Sequence, residues 1–136
     1  MLFNVCAVAA GGAIGAVGRY LVGLAIVPCA AALHIPADFP AATFVANFAG
    51  CFAIGVLSVL FDEGPWRGNA AGRLFAITGV LGGFTTFSTF GLETVLLLER
   101  GEAALAALNA GLSLAACLAG VVAGRVLAGV VCGGRV

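Results

Sequence analysis

The amino-acid sequence predicts an all-α integral membrane protein with four transmembrane helices. Of its 136 residues, 62% are hydrophobic and only 9% are charged. Soluble domains carry about 25% charged residues, because their surfaces must be solvated. The chain also contains four apolar stretches that each reach the length needed to cross a bilayer, which is about 20 residues. These two observations exclude an ordinary soluble domain.

Each predicted span contains at most one charged residue. The first contains Arg19, the second contains none, the third contains Glu93 and the fourth contains Arg125. The first span lacks a basic segment before it and is interrupted by its arginine, so we interpret it as a membrane span and not as a signal peptide. The four spans of this single membrane domain cover residues 2–27, 41–61, 74–98 and 103–131.

The connections between the spans contain helix-breaking and charged residues. Pro28, Pro36 and Pro40 lie in the first connection, the charged run 62–67 lies in the second, and the third is a tight turn at 99–102. Four spans place both termini on the same side of the membrane. Arginines occur at both ends of the spans with little bias, so the sequence is compatible with insertion in either orientation.

The composition argues against several kinds of site. The formal net charge is zero and there is no basic run that could bind nucleic acid. None of the cysteines belongs to a CxxC pair, and the one histidine, His34, lies in a predicted loop, so we expect neither a disulfide framework nor a zinc site. With no nucleophile–base pair visible, we do not expect an enzyme. The cysteines, interpreted as small apolar residues, are Cys6, Cys29, Cys51, Cys117 and Cys132.

The third span contains a run that is a poor continuous helix. Residues 79–90 read GVLGGFTTFSTF, in which two adjacent glycines precede four hydroxyl residues. Non-helical backbone at membrane depth is tolerated only where it is buried in protein or lines a polar cavity, and such breaks can direct carbonyls and helix ends at an ion. We therefore predict that the third helix is broken at mid-membrane near residues 82–86. The alternative is a glycine-rich packing face whose hydroxyls bond to their own helix.

Polar side chains form stripes on two other spans. Asn47 lies in the centre of the second span with Thr43 four residues earlier, so both point to one helix face. Asn109, Ser113 and Cys117 repeat at the same spacing on the fourth span. A carboxamide in an apolar span is costly unless it finds partners. The stripes predict a polar path, or alternatively hydrogen bonds that hold the helices together.

Phenylalanines recur beside these polar residues. Phe87 and Phe90 alternate with hydroxyl residues, and an aromatic edge carries partial positive charge that can face an anion. Three other phenylalanines recur at every fourth residue of the second span, and we interpret them as packing residues: Phe44, Phe48 and Phe52.

Three motifs resemble those of the Fluc (CrcB-type) fluoride channels. They are GGxxGAxxRY at 11–20, TxxxNxxG at 43–50 and GGFTTFSTF at 82–90. The resemblance extends over the whole chain in length, number of spans and order of motifs. It implies an antiparallel, dual-topology homodimer with two fluoride pathways. It also implies one structural Na⁺ at the dimer interface, bound by the backbone carbonyls of Gly82 and Thr85.

The resemblance implies roles for side chains as well. Arg19 and Glu93 become candidates for the pore mouth or for gating, although a basic side chain near a helix end also reaches the membrane surface without any such role. Asn109 and Cys117 depart from the family, where a tyrosine or another hydroxyl is expected, so the route along the fourth helix is open. The residues expected to line the fluoride pathway are Asn47, Phe87, Phe90, Thr43, Ser113 and Thr89.

The function implied is passive, fluoride-selective export through the inner membrane of the cell, which would lower fluoride toxicity. A negative interior drives an anion outward by about 2.3 kcal/mol per charge per 100 mV. One alternative is a small coupled transporter of the multidrug or ion type, but those exporters depend on a carboxylate in the first span, and this span has none. The other is a non-conducting subunit paired with an oppositely oriented paralogue.

Overall fold

The computed structural model describes residues 1–133, in which five helices are joined by short connections and no strand is present. Helix α3 consists of three consecutive segments, α-helical at Ala70–Arg73, π-helical at Leu74–Leu81 and α-helical at Gly82–Phe84. The others are α1 (Leu2–Ala32), α2 (Ala41–Asp62), α4 (Phe87–Glu99) and α5 (Ala103–Val131).

Four helical stretches are long and apolar enough to cross a membrane, as the sequence predicted. Helices α1, α2 and α5 each form one stretch. Helices α3 and α4 together form the third, Ala70–Glu99. The protein therefore has the architecture of a multi-pass membrane protein.

The first span is longer than predicted. Pro28, which we expected in the connection, lies inside α1. Proline removes one backbone hydrogen bond, but membrane helices tolerate it because neighbouring groups satisfy the freed carbonyl. The helix instead ends at Ala32, and His34, two residues later, takes a left-handed conformation with φ 56°. Ile35 N–H then donates to Ala30 O at 3.0 Å and closes the last turn.

The third span begins four residues earlier than predicted, at Ala70. Asn69 caps it, because its Oδ1 accepts from Gly72 N–H at 2.8 Å. Arg73, which we placed before the span, lies within the first turn and pairs with Asp62 of α2 at 2.7 Å.

Two exposed ion pairs link helix ends or connections at opposite ends of the bundle. Arg73 and Asp62 join α3 to α2, while Arg100 after α4 pairs with Asp38 before α2 at 2.9 Å. Each is exposed and contributes little to stability. The pairs do indicate that the helices alternate in direction, because the connection preceding α2 and the one following α4 meet at the same end.

The helices pack closely in two pairs through glycines. In the α1–α3 pair, a Cβ at Gly15 would overlap the carbonyl oxygen of Val80. In the α2–α5 pair, a Cβ at Gly55 or Gly124 would overlap a backbone carbonyl of the facing helix. Small residues permit this approach of backbones, which drives helix association in membranes. Arg125 on α5 also donates to Ser58 Oγ on α2 at 2.8 Å.

Candidate functional site

The centre of the site is a two-residue interruption between α3 and α4. Thr85 (φ −84°, ψ 158°) and Thr86 (φ −152°, ψ 108°) are extended. On the α3 side, Thr85 N–H and the Thr85 hydroxyl both donate to Leu81 O at 2.9 Å. On the α4 side, Thr86 Oγ1 accepts from Thr89 N–H at 3.2 Å and caps the helix.

Asn47 on α2 satisfies the peptide groups of the interruption. Its Oδ1 accepts from Thr86 N–H at 2.7 Å, and its Nδ2 donates to Thr86 O at 3.1 Å. One side-chain amide therefore pairs with both the donor and the acceptor of a single residue. Extended backbone in an apolar bundle needs such partners, because each buried unpaired polar group is costly. Asn47 accordingly holds the interruption in place.

The interruption releases carbonyl oxygens from their helical partners. In a continuous α-helix, Gly82 O would accept from Thr86 N–H, and Thr85 O would accept from Thr89 N–H. Thr86 N–H donates to Asn47 instead, and Thr89 N–H donates to Thr86 Oγ1. The carbonyls of Gly82 and Thr85, which the resemblance assigns to Na⁺, are thus among those whose usual donors have been diverted.

The interruption also brings two helix ends of opposite polarity together. Helix α3 ends at Phe84 with its carbonyls, which carry partial negative charge, and α4 begins at Phe87 with free N–H groups, which carry partial positive charge. A cation is favoured at the first end and an anion at the second.

A cleft of about 620 Å³ opens beside the interruption. Phe87 projects from it with 84% of its surface exposed, and its ring lies 5.4 Å from that of Phe90, tilted by 40°. The cleft is bounded by residues of α2, α3, α4 and α5. Its lining residues are Asn47, Gly50, Cys51, Ile54, Ile77, Leu81, Gly82, Thr85, Phe87, Phe90, Ala110, Ser113, Leu114 and Cys117.

A second set of polar side chains connects α2 and α5 to α4, and one of them, Ser113, also lines the cleft. Thr43 Oγ1 donates to Glu93 Oε1 at 2.9 Å, while Glu93 Oε2 is buried without a hydrogen-bond partner among residues 1–133. Asn109 Nδ2 donates to Thr94 Oγ1 at 2.8 Å, and Ser113 Oγ donates to Asn109 Oδ1 at 3.3 Å. Thr43 of the stripe on α2 and Asn109 of the stripe on α5 therefore both face α4.

The structure brings most of the predicted site residues together, but not all. Asn47, Phe87, Phe90 and Ser113 line the cleft together with Gly82 and Thr85. Thr43 and Glu93 pair with each other outside its lining, and Thr89 lies in the first turn of α4. Arg19 lies half-buried on α1, away from the cleft lining.

Sequence reasoning missed Thr94 and the pairing role of Thr86. Thr94 Oγ1 donates to Phe90 O at 2.7 Å while it accepts from Asn109, so it links α4 to α5. The signal that could have indicated such a partner was Asn109 itself. Its side chain is almost fully buried, with 1% exposed, and a carboxamide so placed requires a polar group opposite.

The fold and the site define a multi-pass membrane protein with an interrupted third span. Comparison with known proteins gives the family: residues 6–125 match the CrcB-like protein family, Camphor Resistance (CrcB). The chain belongs to this family, which confirms the resemblance drawn from the three motifs.

Curated relatives cover most of the chain. The fluoride-specific ion channel FluC of Elusimicrobium minutum is 46% identical over 107 residues, which are 79% of this chain and 78% of that protein. FluC of Agrobacterium fabrum is 47% identical over 108 residues, 78% and 80% of the two chains. FluC of Cereibacter sphaeroides is 45% identical over 114 residues, 84% and 85% of the two chains.

Proposed function

We propose that this protein is a passive, fluoride-selective ion channel that exports fluoride from the cytoplasm across the inner membrane. One observation carries the proposal. The interruption at Thr85 and Thr86, the amide of Asn47 and the ring pair Phe87–Phe90 all meet at one open cleft. The names of relatives at about 45% identity support the choice of ion.

The channel is an antiparallel, dual-topology homodimer. The cleft is open in the single chain, and Phe87, an apolar ring, protrudes from it. A second copy related by a two-fold axis presents the same patch and covers the same surface. The third span is then broken at mid-membrane, where each chain contributes its interruption to the shared centre.

The Gly82 and Thr85 carbonyls suit a structural Na⁺ at the dimer interface. Sodium is a hard cation that takes oxygen ligands. Both carbonyls have lost their helical donors, both residues line the cleft, and they lie at the negative end of α3. Two chains offer four such oxygens. The ion supplies a fixed positive charge that favours an anion nearby.

The side chains of the cleft replace water around fluoride. Each Asn47 Nδ2 carries two N–H groups, of which one donates to Thr86 O, so one is left for the anion. The edges of Phe87 and Phe90 add further positive partial charge. Ser113, whose hydroxyl donates to Asn109 Oδ1 in the single chain, offers its O–H to the anion when it turns away from that long bond of 3.3 Å. Thr43 and Thr89 extend the polar path away from the cleft. Arg19 and Glu93 act at its mouths or in gating.

Fluoride efflux from liposomes that contain only this purified chain tests the proposal. The vesicles are loaded with fluoride, and valinomycin with a K⁺ gradient sets the membrane potential. We expect efflux that follows the potential, requires no proton gradient and excludes chloride. Efflux that stops when the proton gradient is collapsed indicates a coupled transporter, and no efflux from the single chain indicates a subunit that needs a paralogue.

A further inference from the structure

A charged side chain lies beyond the cleft, between α2 and α5. Arg125 Nη1 donates to Ser58 Oγ at 2.8 Å, and Ser58 Oγ in turn donates to Gly55 O at 2.8 Å. The bond to Ser58 uses one of the five N–H groups of the guanidinium. Arg125 is half-buried and forms no ion pair with an acid among residues 1–133. A charge inside a membrane span is costly, and such residues face a polar cavity or mark an ion path.

Ser58 and Arg125 continue the two helix faces that line the cleft. Ser58 lies eleven residues after the lining residue Asn47 on α2, and Arg125 lies eleven residues after the lining residue Leu114 on α5. Eleven residues make about three helical turns, so each residue lies on the same face as its lining counterpart. Ile54 is the last residue of α2 in the lining. The guanidinium, bonded to Ser58, therefore stands about one turn beyond the edge of the cleft.

Helices α2 and α5 run in the same direction, so both faces lead towards the same end of the bundle. A Cβ at Gly120 would lie 3.2 Å from the Phe48 ring, and a Cβ at Gly55 would lie 3.1 Å from Arg125 N, so the facing positions advance together. Arg125 lies six residues before the end of α5 at Val131, which is about 9 Å along the helix axis. Its side chain thus stands between the cleft and the membrane surface.

The charges around this position favour an anion. Asp62, one turn after Ser58 on α2, is already paired with Arg73 at 2.7 Å. Arg125 is therefore left as a positive charge beside a neutral pair. A positive charge at the mouth of a cleft with apolar walls concentrates anions there and raises their rate of entry.

We propose that Arg125 collects the anion at one mouth of the cleft, where it binds fluoride from solution and passes it to the lining residues. Ser58 is a positioning residue, because its hydroxyl holds the guanidinium in line with the cleft. A fluoride ion that leaves Arg125 moves about one turn along α2 to reach Ile54 at the cleft edge. This assignment rests on the proposed function, since it concerns how the conducted ion enters or leaves.

The salt dependence of fluoride efflux tests the assignment. Efflux is measured at low fluoride from liposomes of zwitterionic lipid, at ionic strengths of about 0.01 M and about 1 M, where the Debye length is about 30 Å and about 3 Å. We expect the unaltered chain to lose about tenfold of its efflux between the two. Arg125→Gln keeps N–H donors but removes the charge, so it should be about tenfold slower at the low ionic strength and similar at the high one. Arg125→Lys keeps the charge and should retain the salt dependence.

Arg67→Gln is the matched control, because Arg67 is exposed in the connection after α2 and its replacement removes the same charge outside the cleft lining. Equal losses in Arg67→Gln and Arg125→Gln overturn the proposal, since surface charge in general then explains them. An unaltered chain whose efflux does not depend on ionic strength overturns it even if Arg125→Gln fails to fold. A loss in Arg125→Gln that is equal at both ionic strengths indicates a structural role and also overturns it. An unaltered chain that releases no fluoride refutes the proposed function, and this assignment falls with it.

Discussion

Asn47 has a double role at the residue scale. The sequence marked it as a pore donor, and the structure adds that it pairs with both peptide groups of Thr86. Asn47→Leu keeps a similar volume but leaves those groups unpaired, at about 1–3 kcal/mol each. Every 1.4 kcal/mol added to a barrier slows passage about tenfold. We therefore expect at least a tenfold loss of fluoride efflux together with a lower unfolding temperature.

Phe44→Ile, on the same helix, is the control for Asn47→Leu. The Phe44 ring packs against Phe39 with a centroid distance of 6.0 Å and does not line the cleft. We expect the Phe44→Ile substitution to change fluoride efflux by no more than a few-fold. Normal efflux and normal unfolding of Asn47→Leu would contradict both roles of the asparagine.

The ring pair gives a prediction in which Phe87 is the substitution with little effect on folding. Phe87 is 84% exposed in the single chain, so Phe87→Ile removes little packing within it. An aliphatic side chain has no electropositive edge for an anion. We expect Phe87→Ile and Phe90→Ile to lower fluoride efflux about tenfold, the effect of about 1.4 kcal/mol on a barrier. Phe52→Ile is the control, and equal losses in all three would remove the rings from the pathway.

At this scale the sequence predicts which polar side chains are costly to bury without a partner. It does not predict which groups become their partners. Asn47 and Asn109 stood out because carboxamides in apolar spans need partners. Their partners, Thr86 and Thr94, lie on other helices, and the register between helices is set by packing that one sequence does not reveal.

At the scale of elements, the glycines of α1 hold it against α3. A Cβ at Gly15 would overlap Val80 O and lie 2.8 Å from Phe84 N, whereas a Cβ at Gly12 would meet no atom of another helix within 4 Å. Overpacking of this kind costs about 1–3 kcal/mol. We expect Gly15→Ala to lower the unfolding temperature in detergent and Gly12→Ala to leave it nearly unchanged. Equal effects would mean that helix propensity, not close packing, explains these glycines.

Element number and type were predictable, whereas local geometry was not. Hydropathy and length predicted four spans, because a bilayer fixes both. The π-helical stretch Leu74–Leu81 was not predicted, since its wider turn depends on how α3 packs against α1 and leaves no periodicity of its own. Pro28 was misread as a helix end because the rule for soluble helices is weaker in a membrane.

At the scale of the whole molecule, the single chain leaves much apolar surface uncovered. Within α1, only Gly11 and Gly15 are buried. The outward face of α5 exposes Leu118 and Val122. Lipid suits such surfaces, because lipid tails are as apolar as leucine. The cleft differs, since it carries carbonyl oxygens freed from their helical donors and needs polar or protein neighbours.

An antiparallel dimer requires that one sequence insert in both orientations, and the weak arginine bias permits this. Orientation follows the positive charge of short loops. Glu99→Arg with Glu102→Arg adds positive charge to the turn between α4 and α5 and should fix that end on the cytoplasmic side. Glu63→Arg, in the connection after α2, should fix the opposite end there. We expect each biased chain alone to lose fluoride export, scored as growth in fluoride medium, and the two co-expressed to regain it.

Glu99→Gln with Glu102→Gln, which adds no positive charge, is the control and should export normally. If each biased chain exports alone, the antiparallel pair is wrong. If both biased chains fail even together while the glutamine control exports, the added arginines damage more than the orientation of the chain. Labelling of a cysteine at position 67 from each face of the membrane, in a chain without these arginines, then decides whether its topology is dual.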